Sequence, residues 1–386
     1  MDSPTQLITH STSVIKTYDS KHLKYLDGIR AVAALYVLIH HILIQIDYGK
    51  SAYSVLLISI FQYGRFAVDV FIVLSGFCLM LPLTKGNTIH LTNNFLKRRA
   101  IRILPTYYIA MALSLFLIYT IIGKKTGSHW DESIPVTAWD IFTHIFLIQD
   151  LFGETVYKIN HTFWSISVEC RIYLVFPLII LLCRKFGIVL ITLASLLLSF
   201  FLWHGYSYIG LNSYTMSPHY LSLFMFGMLS SYVSFTKEKF YTVLKDMYLQ
   251  YVTLILIIFI VSMVVIVPNL FHTISLTTLT ADYTVGACTA ILLLSISAGR
   301  MNVLTKALSW HPLVFVGTFA YSIYLIHAPV LQIISQYLVL PMNLSQPLNL
   351  LSMIILGISI NLLVSYLFFI LAEKPYLKKR SLIKAL

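Results

Sequence analysis

Apolar runs alternate with short polar connectors along nearly the whole chain after residue 28. A helix needs about 20 apolar residues to cross the hydrocarbon core of a bilayer. The runs read as spans at 29–46, 66–83, 103–122, 172–183, 187–203, 218–235, 249–267, 283–299, 313–339 and 349–372. The expected fold is therefore all-α, a polytopic transmembrane bundle of about ten helices. The run at 172–183 is short for a full crossing unless it begins near Trp164, which leaves residues 140–171 to span, re-enter or lie on the membrane. The expected organisation is a polar tail at 1–24, a transmembrane domain at 25–376 and a short basic tail at 377–386.

Charge placement tests this map independently. An even number of spans puts both termini on one side, and a cytoplasmic placement gathers 21 of the 27 Lys and Arg residues on that side. Adding or removing one span scrambles the grouping. Connectors 204–217 and 340–348 hold no Lys or Arg, while 123–171 is a long mixed-charge segment with His129, Trp130 and Trp139 that reads as an outer lid.

Composition sharpens the class. The chain is 58% hydrophobic and 11% charged with a mean hydropathy of +0.82, against about 25% charged for a soluble domain. Its net charge of +12 is spread among connectors and the C-terminus. No single basic face is formed, and no nucleic-acid partner is expected. Cys78, Cys170, Cys183 and Cys288 are scattered without CxxC or Cys/His ligand spacing, so neither a disulfide framework nor a metal is expected. The first 24 residues lack the apolar core and cleavage site of a signal peptide, so the first span is expected to remain as an anchor. No internal repeat suggests a transporter built from two similar halves.

Polar residues inside the spans carry the candidate chemistry, because a charge in hydrocarbon is costly and marks a partner, a water-filled cavity or a site. Tyr25-Leu-Asp-Gly-Ile-Arg30 leads into a helix that reaches His40-His41. At about 100° and 1.5 Å per residue, Arg30 and His41 fall within about 20° of one face and about 16 Å apart, while His40 points about 80° away. A guanidinium at one edge and an imidazole in mid-membrane suit a ligand with anionic groups at one end and its reactive group at the other. Imidazole also suits a general base at physiological pH. The competing reading of His41 is a hydrogen bond between helices.

Four further segments stand out. Phe95-Leu-Lys97-Arg98-Arg99-Ala-Ile-Arg102 sets Arg98 and Arg102 on one helical face, with Arg99 pointing elsewhere; it reads as a phosphate grip or as an anchor for anionic lipid headgroups. Asp69 lies within a span and is expected to orient a histidine or arginine, and the neighbouring Ser75-Gly76 pair suits close helix approach. In His161-Thr-Phe-Trp164-Ser-Ile-Ser167-Val-Glu169-Cys-Arg171-Ile-Tyr173, Trp164, Ser167 and Tyr173 read as a sugar-binding surface or as interfacial anchors. Glu169 reads as a catalytic carboxylate, an acceptor ligand or half of an ion pair with Arg171. Tyr324 and His327 share a face at i and i+3, as pocket residues or bundle hydrogen bonds, and Glu373-Lys-Pro375 closes the last helix.

Taken in order, these segments resemble the acyltransferase-3 family of bacterial integral membrane acyltransferases. The family's Leu-Asp-Gly-Leu-Arg opening before a helix ending in His is similar to Leu26 through His41, and its Val-Asp-X-Phe-X-X-Leu-Ser-Gly-Phe run to Val68 through Phe77. Its Arg-Arg-X-X-Arg-Ile-X-Pro run resembles Arg98 through Pro105, its Trp-Ser-X-Ser-Val-Glu run Trp164 through Glu169, and its Tyr-Ser-X-Tyr-X-X-His-X-Pro run Tyr321 through Pro329. Members often carry Glu-Gln or Glu-Glu where this chain has Glu169-Cys170-Arg171.

The resemblance implies about ten helices and transfer of an acyl group, acetyl above others, from cytoplasmic acyl-CoA to a hydroxyl of an extracytoplasmic or lipid-linked glycan. It implies a central role for His41 and Arg30, with the arginine run, Arg99 included, at the donor site. Acyl-CoA is then a substrate and not a resident cofactor. The expected setting is the bacterial cytoplasmic membrane with both termini inside and lipids as neighbours. Some members carry an added SGNH-type domain. This chain is expected to lack one, so that acceptor chemistry takes place within the membrane domain or with a separate partner. A transporter or flippase for a carbohydrate or lipid-linked substrate is the alternative reading, in which the same charges line a pathway.

Overall fold

Apolar runs become helices because an amide buried in hydrocarbon finds no water, and a helix satisfies nearly all its N–H and C=O groups within one segment. The computed structural model describes residues 23–45, 52–84, 93–209, 211–236 and 277–377, and contains no strand among them. The elements are α1 (Lys24–Gln45), α2 (Ala52–Phe61), α3 (Gly64–Thr84), α4 (Asn93–Leu117), α5 (Ala138–Ile145), α6 (Trp164–Phe186) and α7 (Ile188–Tyr208). They continue as α8 (Ser213–Met216), α9 (Tyr220–Phe235), α10 (Thr277–Ser297), α11 (Asn302–Leu308), α12 (His311–Thr318), α13 (Ala320–Ile334) and α14 (Gln346–Phe368). Helices α4, α13 and α14 run on through π-helical turns at Ile118–Ile122, Ser335–Val339 and Phe369–Glu373. Eight described helical segments are long and apolar enough to cross a membrane. The chain is an all-α polytopic bundle; the span read at 249–267 lies outside the described residues.

Two stretches differ from the sequence map. Helix α6 begins at Trp164 and runs 23 residues, a full crossing. Residues 140–163 therefore do not span; they belong to a folded cap. The run at 313–339 breaks at Phe319 into α12 and α13. The break lets α12 lie against the start of α1, where a Cβ on Gly317 would stand 2.0 Å from the Asp27 carbonyl oxygen.

Unlike a soluble domain, the bundle is apolar on its outer face as well as in its core. Leu174, Leu178 and Leu181 on α6, with Leu190, Leu193, Leu197 and Phe201 on α7, recur at helical spacing and are exposed. Asp69, Asp282, His327 and Asn361 are buried. An apolar outer face, with the polar side chains turned inward, suits lipid as the surrounding solvent. The cap repeats the pattern at small scale: α5 starts from a Thr137–Asp140 capping box, buries Asp140, Thr143 and His144, and exposes Trp139, Phe142 and Phe146.

Small residues set the closest packing. Helices α3 and α9 touch through Gly76 and Gly227, where an added Cβ would meet the carbonyls of Phe224 and Val73 at 2.0 and 1.9 Å. The small-residue reading holds for Gly76. Ser75 turns the other way, into a cavity.

Candidate active site

Helix α1 carries Arg30 near its start and His41 near its end, and each opens on its own cavity. The first cavity, about 110 Å³, is lined by Arg30, Arg99 and Arg102 with Ser75, Glu169, Tyr173 and Tyr321. The second, about 290 Å³, is lined by His40, His41, Arg65, His129, Glu132, His161, Trp164 and Tyr214. Val68 and Tyr324 line both. Arg30 and His41 thus face the two sides of a wall that contains these two side chains, and not the single open site that their helical stripe predicts.

The arginine cavity collects cations and their neutralising partners. Arg30 donates from Nη1 to Asp27 Oδ1 at 2.5 Å and from Nη2 to Cys78 Sγ at 3.0 Å. Arg99 stands over the rings of Phe95 and Tyr173. Ser75 donates to Glu169 Oε1 at 2.6 Å, and the Tyr173 hydroxyl donates to the same oxygen. The expected pairing of Arg98 with Arg102 on the ligand face is corrected: Arg99 and Arg102, three apart, line the cavity, and Arg98 does not. Glu169 belongs with the arginines. It does not pair with Arg171, which meets Asp150 and donates to the Met216 carbonyl at 3.0 Å.

The histidine cavity is built around one lone pair. His327 Nδ1 faces the carbonyls of Ile323 and Tyr324 at 3.0 and 2.9 Å. A carbonyl can only accept, so that nitrogen carries the proton and the Nε2 of a neutral His327 is an acceptor. His41 Nδ1 lies 3.2 Å from this Nε2 and 2.9 Å from the Val37 carbonyl, so it too carries a proton. His41 Nε2 is left as a free lone pair on a ring that lines the cavity. His327 itself is buried behind His41, outside the lining. His40 lines the cavity as well, donating from Nδ1 to the Phe61 carbonyl at 2.8 Å. Gly64 makes room for it, since a Cβ there would stand 2.3 Å from the His40 ring.

The cap closes over these rings. His129, on the 3-10 turn His129–Ser133, and His161, just before α6, bring their ring centroids to 6.3 and 5.1 Å from His41 and 4.7 Å from each other. One ring nitrogen from each of His41, His129 and His161 lies within 4.8 Å of the others, a spacing within reach of a shared metal ion. Burial lowers His129 from the ordinary imidazole range against the pull of Glu132. Burial, reinforced by His129, holds His161 well below it. Ser128 donates to Gln332 Oε1 at 2.7 Å, which pins the cap to α13.

The remaining candidates fall elsewhere. Trp164 lines the histidine cavity and faces Arg65 at 5.2 Å. Arg65 donates to Asp282 at 2.9 Å and to Ser217 at 3.0 Å, and His219 donates to the same carboxylate at 2.8 Å. Asp69 is buried within electrostatic reach of Asp282, Arg65 and Tyr220. It lines neither cavity and touches no histidine of the site. Ser167 is buried and outside both linings. Tyr324 bonds Ser165 Oγ at 2.7 Å. The sequence reading did not join His129 and His161 to His41: the three are far apart in the chain, and no helical period links them.

Known proteins place this geometry in context. The Acyltransferase domain family matches residues 23–370. The chain is 30% identical over 167 residues to Acyltransferase MdmB of Streptomyces mycarofaciens, covering 42% of this chain and 40% of that protein. It is 26% identical over 176 residues to Peptidoglycan O-acetyltransferase OatA of Listeria monocytogenes, covering 44% and 26%. It is 24% identical over 358 residues to O-acetyltransferase OatA of Staphylococcus aureus, covering 84% and 53%. The chain thus spans about half or less of the length of these curated relatives. No solved structure matches it.

Proposed function

Since the chain belongs to the acyltransferase family whose domain it matches from residue 23 to 370, we propose that it transfers an acyl group, acetyl foremost, from acyl-CoA to a glycan hydroxyl. The acceptor class follows the O-acetyltransferase relatives, two of which carry that activity in their names and one of which names peptidoglycan. The membrane is the bacterial cytoplasmic membrane, with both termini and the arginine cavity on the inner side. The acceptor, a polymer or a lipid-linked sugar, approaches the histidine cavity from outside.

The observation that carries the reading is the relay in α1 and α13, which leaves His41 Nε2 bare beside a wall whose other side holds three arginines. Arg30, Arg99 and Arg102 supply fixed positive charge for the donor's phosphates. The acyl-bearing arm passes Val68 and Tyr324 to reach the imidazole. His41 Nε2 takes the proton of the acceptor hydroxyl as its oxygen bonds to the thioester carbonyl carbon. The carbon–sulfur bond then breaks, and the departing thiolate takes the proton from the imidazolium, giving an ester and free CoA. Trp164 offers a stacking face for a sugar, and Glu169, held by Ser75 and Tyr173, steadies the arginine side.

Purified wild type and His41→Ala, reconstituted in liposomes with acetyl-CoA and a glycan acceptor, test the assignment. Loss of transfer by about 100-fold or more is expected from removing a general base. Equal rates in a variant of normal insertion and donor affinity would rule it out.

A further inference from the structure

We propose that His41, His129 and His161 form a binding site for one divalent transition-metal ion of the zinc class, held through the three Nε2 atoms. A metal-ligating histidine characteristically gives its other ring nitrogen to a nearby oxygen, which fixes the ring and its tautomer. All three rings have such a neighbour. His41 Nδ1 meets the Val37 carbonyl at 2.9 Å, His161 Nδ1 meets Ser133 Oγ at 3.1 Å, and His129 Nδ1 lies 3.6 Å from Glu132 Oε1. The Val37 carbonyl can only accept, so His41 Nε2 keeps its lone pair, and the tautomer of His161 and His129 protonated at Nδ1 leaves their Nε2 atoms in the same state.

A second observation points the same way. His161 is 6% exposed, and its Nε2 is buried without a hydrogen-bond partner. An orphaned buried nitrogen beside a polar cavity of about 290 Å³ is uncompensated unless something occupies that space. Tetrahedral zinc at about 2.0–2.1 Å from each nitrogen sets its ligands about 3.3 Å apart. One ring nitrogen of each of the three histidines already lies within 4.8 Å of the others. Small side-chain rotations close the remainder. Three imidazoles leave a fourth position open to water or a substrate oxygen.

The consequence rests on the acyl-transfer reading: the metal takes the lone pair that His41 uses as a base, so the metal-bound protein is arrested in that chemistry. Metal binding and turnover exclude each other.

Co²⁺ titrated into the full-length, metal-stripped protein in detergent reports the site through its visible d–d absorption, without any turnover. One Co²⁺ per chain, displaced by Zn²⁺, is expected for the wild type, with the band lost in both His129→Ala and His161→Ala. A wild type that takes up no stoichiometric Co²⁺, or uptake unchanged in both variants, would overturn the site. Size-exclusion profiles and helical circular dichroism matching the wild type establish that the variants are folded. Acyl transfer is then measured in parallel. Inhibition by Zn²⁺ over the range that saturates the site supports both readings. Binding without inhibition keeps the site and sinks His41 as the base, and an inactive metal-free protein that still binds Co²⁺ counts against acyl transfer alone.

Discussion

At the scale of residues, the reactivity assigned to His41 depends on a neighbour that touches no substrate. His327 is locked by two backbone carbonyls and can only accept from His41, so the bare nitrogen of His41 faces the cavity by construction. His327 is in this account a positioning residue. His327→Leu is expected to lower kcat by about 10- to 100-fold, the scale for losing a group that orients an imidazole, with KM for acyl-CoA little changed. His327→Gln, whose side-chain oxygen can accept from His41, recovers part of the rate. Steady-state kinetics with the pH profile of kcat checks this: a pure packing role would lower the yield of folded protein and leave the profile unmoved. The sequence placed Tyr324 and His327 on one face but left their partners open, because a partner on another helix has no signature in local spacing. The same limit bears on the arginine run, where helical counting set Arg99 apart from Arg98 and Arg102 and the family resemblance alone brought it to the donor site. The face of α4 that meets the cavity is fixed by packing against its neighbours, and it presents Arg99 with Arg102 where counting from Arg98 had set Arg98 with Arg102.

At the scale of elements, the spans were the most legible feature, since apolar length is read directly and the bilayer enforces helix. What stayed illegible was where a helix meets another backbone. The break at Phe319 answers to contact between α12 and α1 through Gly317, and the Gly76–Gly227 contact joins helices distant in the chain. The cap shows the opposite case. Residues 123–171 carry charges and tryptophans that suggested an outer lid, yet the order of the part before α6 comes from buried polar side chains. His144 is one of them: burial lowers it to about 4 despite its bond to the Asp140 carbonyl. A histidine kept neutral in the folded state contributes its full stability above about pH 6.5. That contribution is lost as pH falls from there toward 4, by an amount on the order of 3 kcal/mol. The wild type should therefore lose thermal stability over that window more steeply than His144→Gln. Scanning fluorimetry in detergent across pH 7 to 4 measures the difference, and parallel slopes would show that His144 does not titrate as described.

At the scale of the whole molecule, two cavities meet at one wall inside a bundle whose outer face is lipid-like. On the proposed function the donor's phosphates lie on the arginine side and the acceptor on the histidine side, and the acyl arm crosses between them at Val68 and Tyr324. Helix α1 carries one key residue to each cavity, which is why its two ends were visible in the sequence as a stripe. The wall was not visible, because Val68 comes from α3 and Tyr324 from α13. A cryo-electron microscopy structure of the full chain with an acyl-CoA analogue, its thioester sulfur replaced by methylene, resolves the matter. The expected density sets the phosphates against Arg30, Arg99 and Arg102, with Tyr324 displaced and the acyl carbonyl beside His41. Donor density confined to another face of the bundle, or an acyl group that stops on the arginine side with His41 out of reach, contradicts the account.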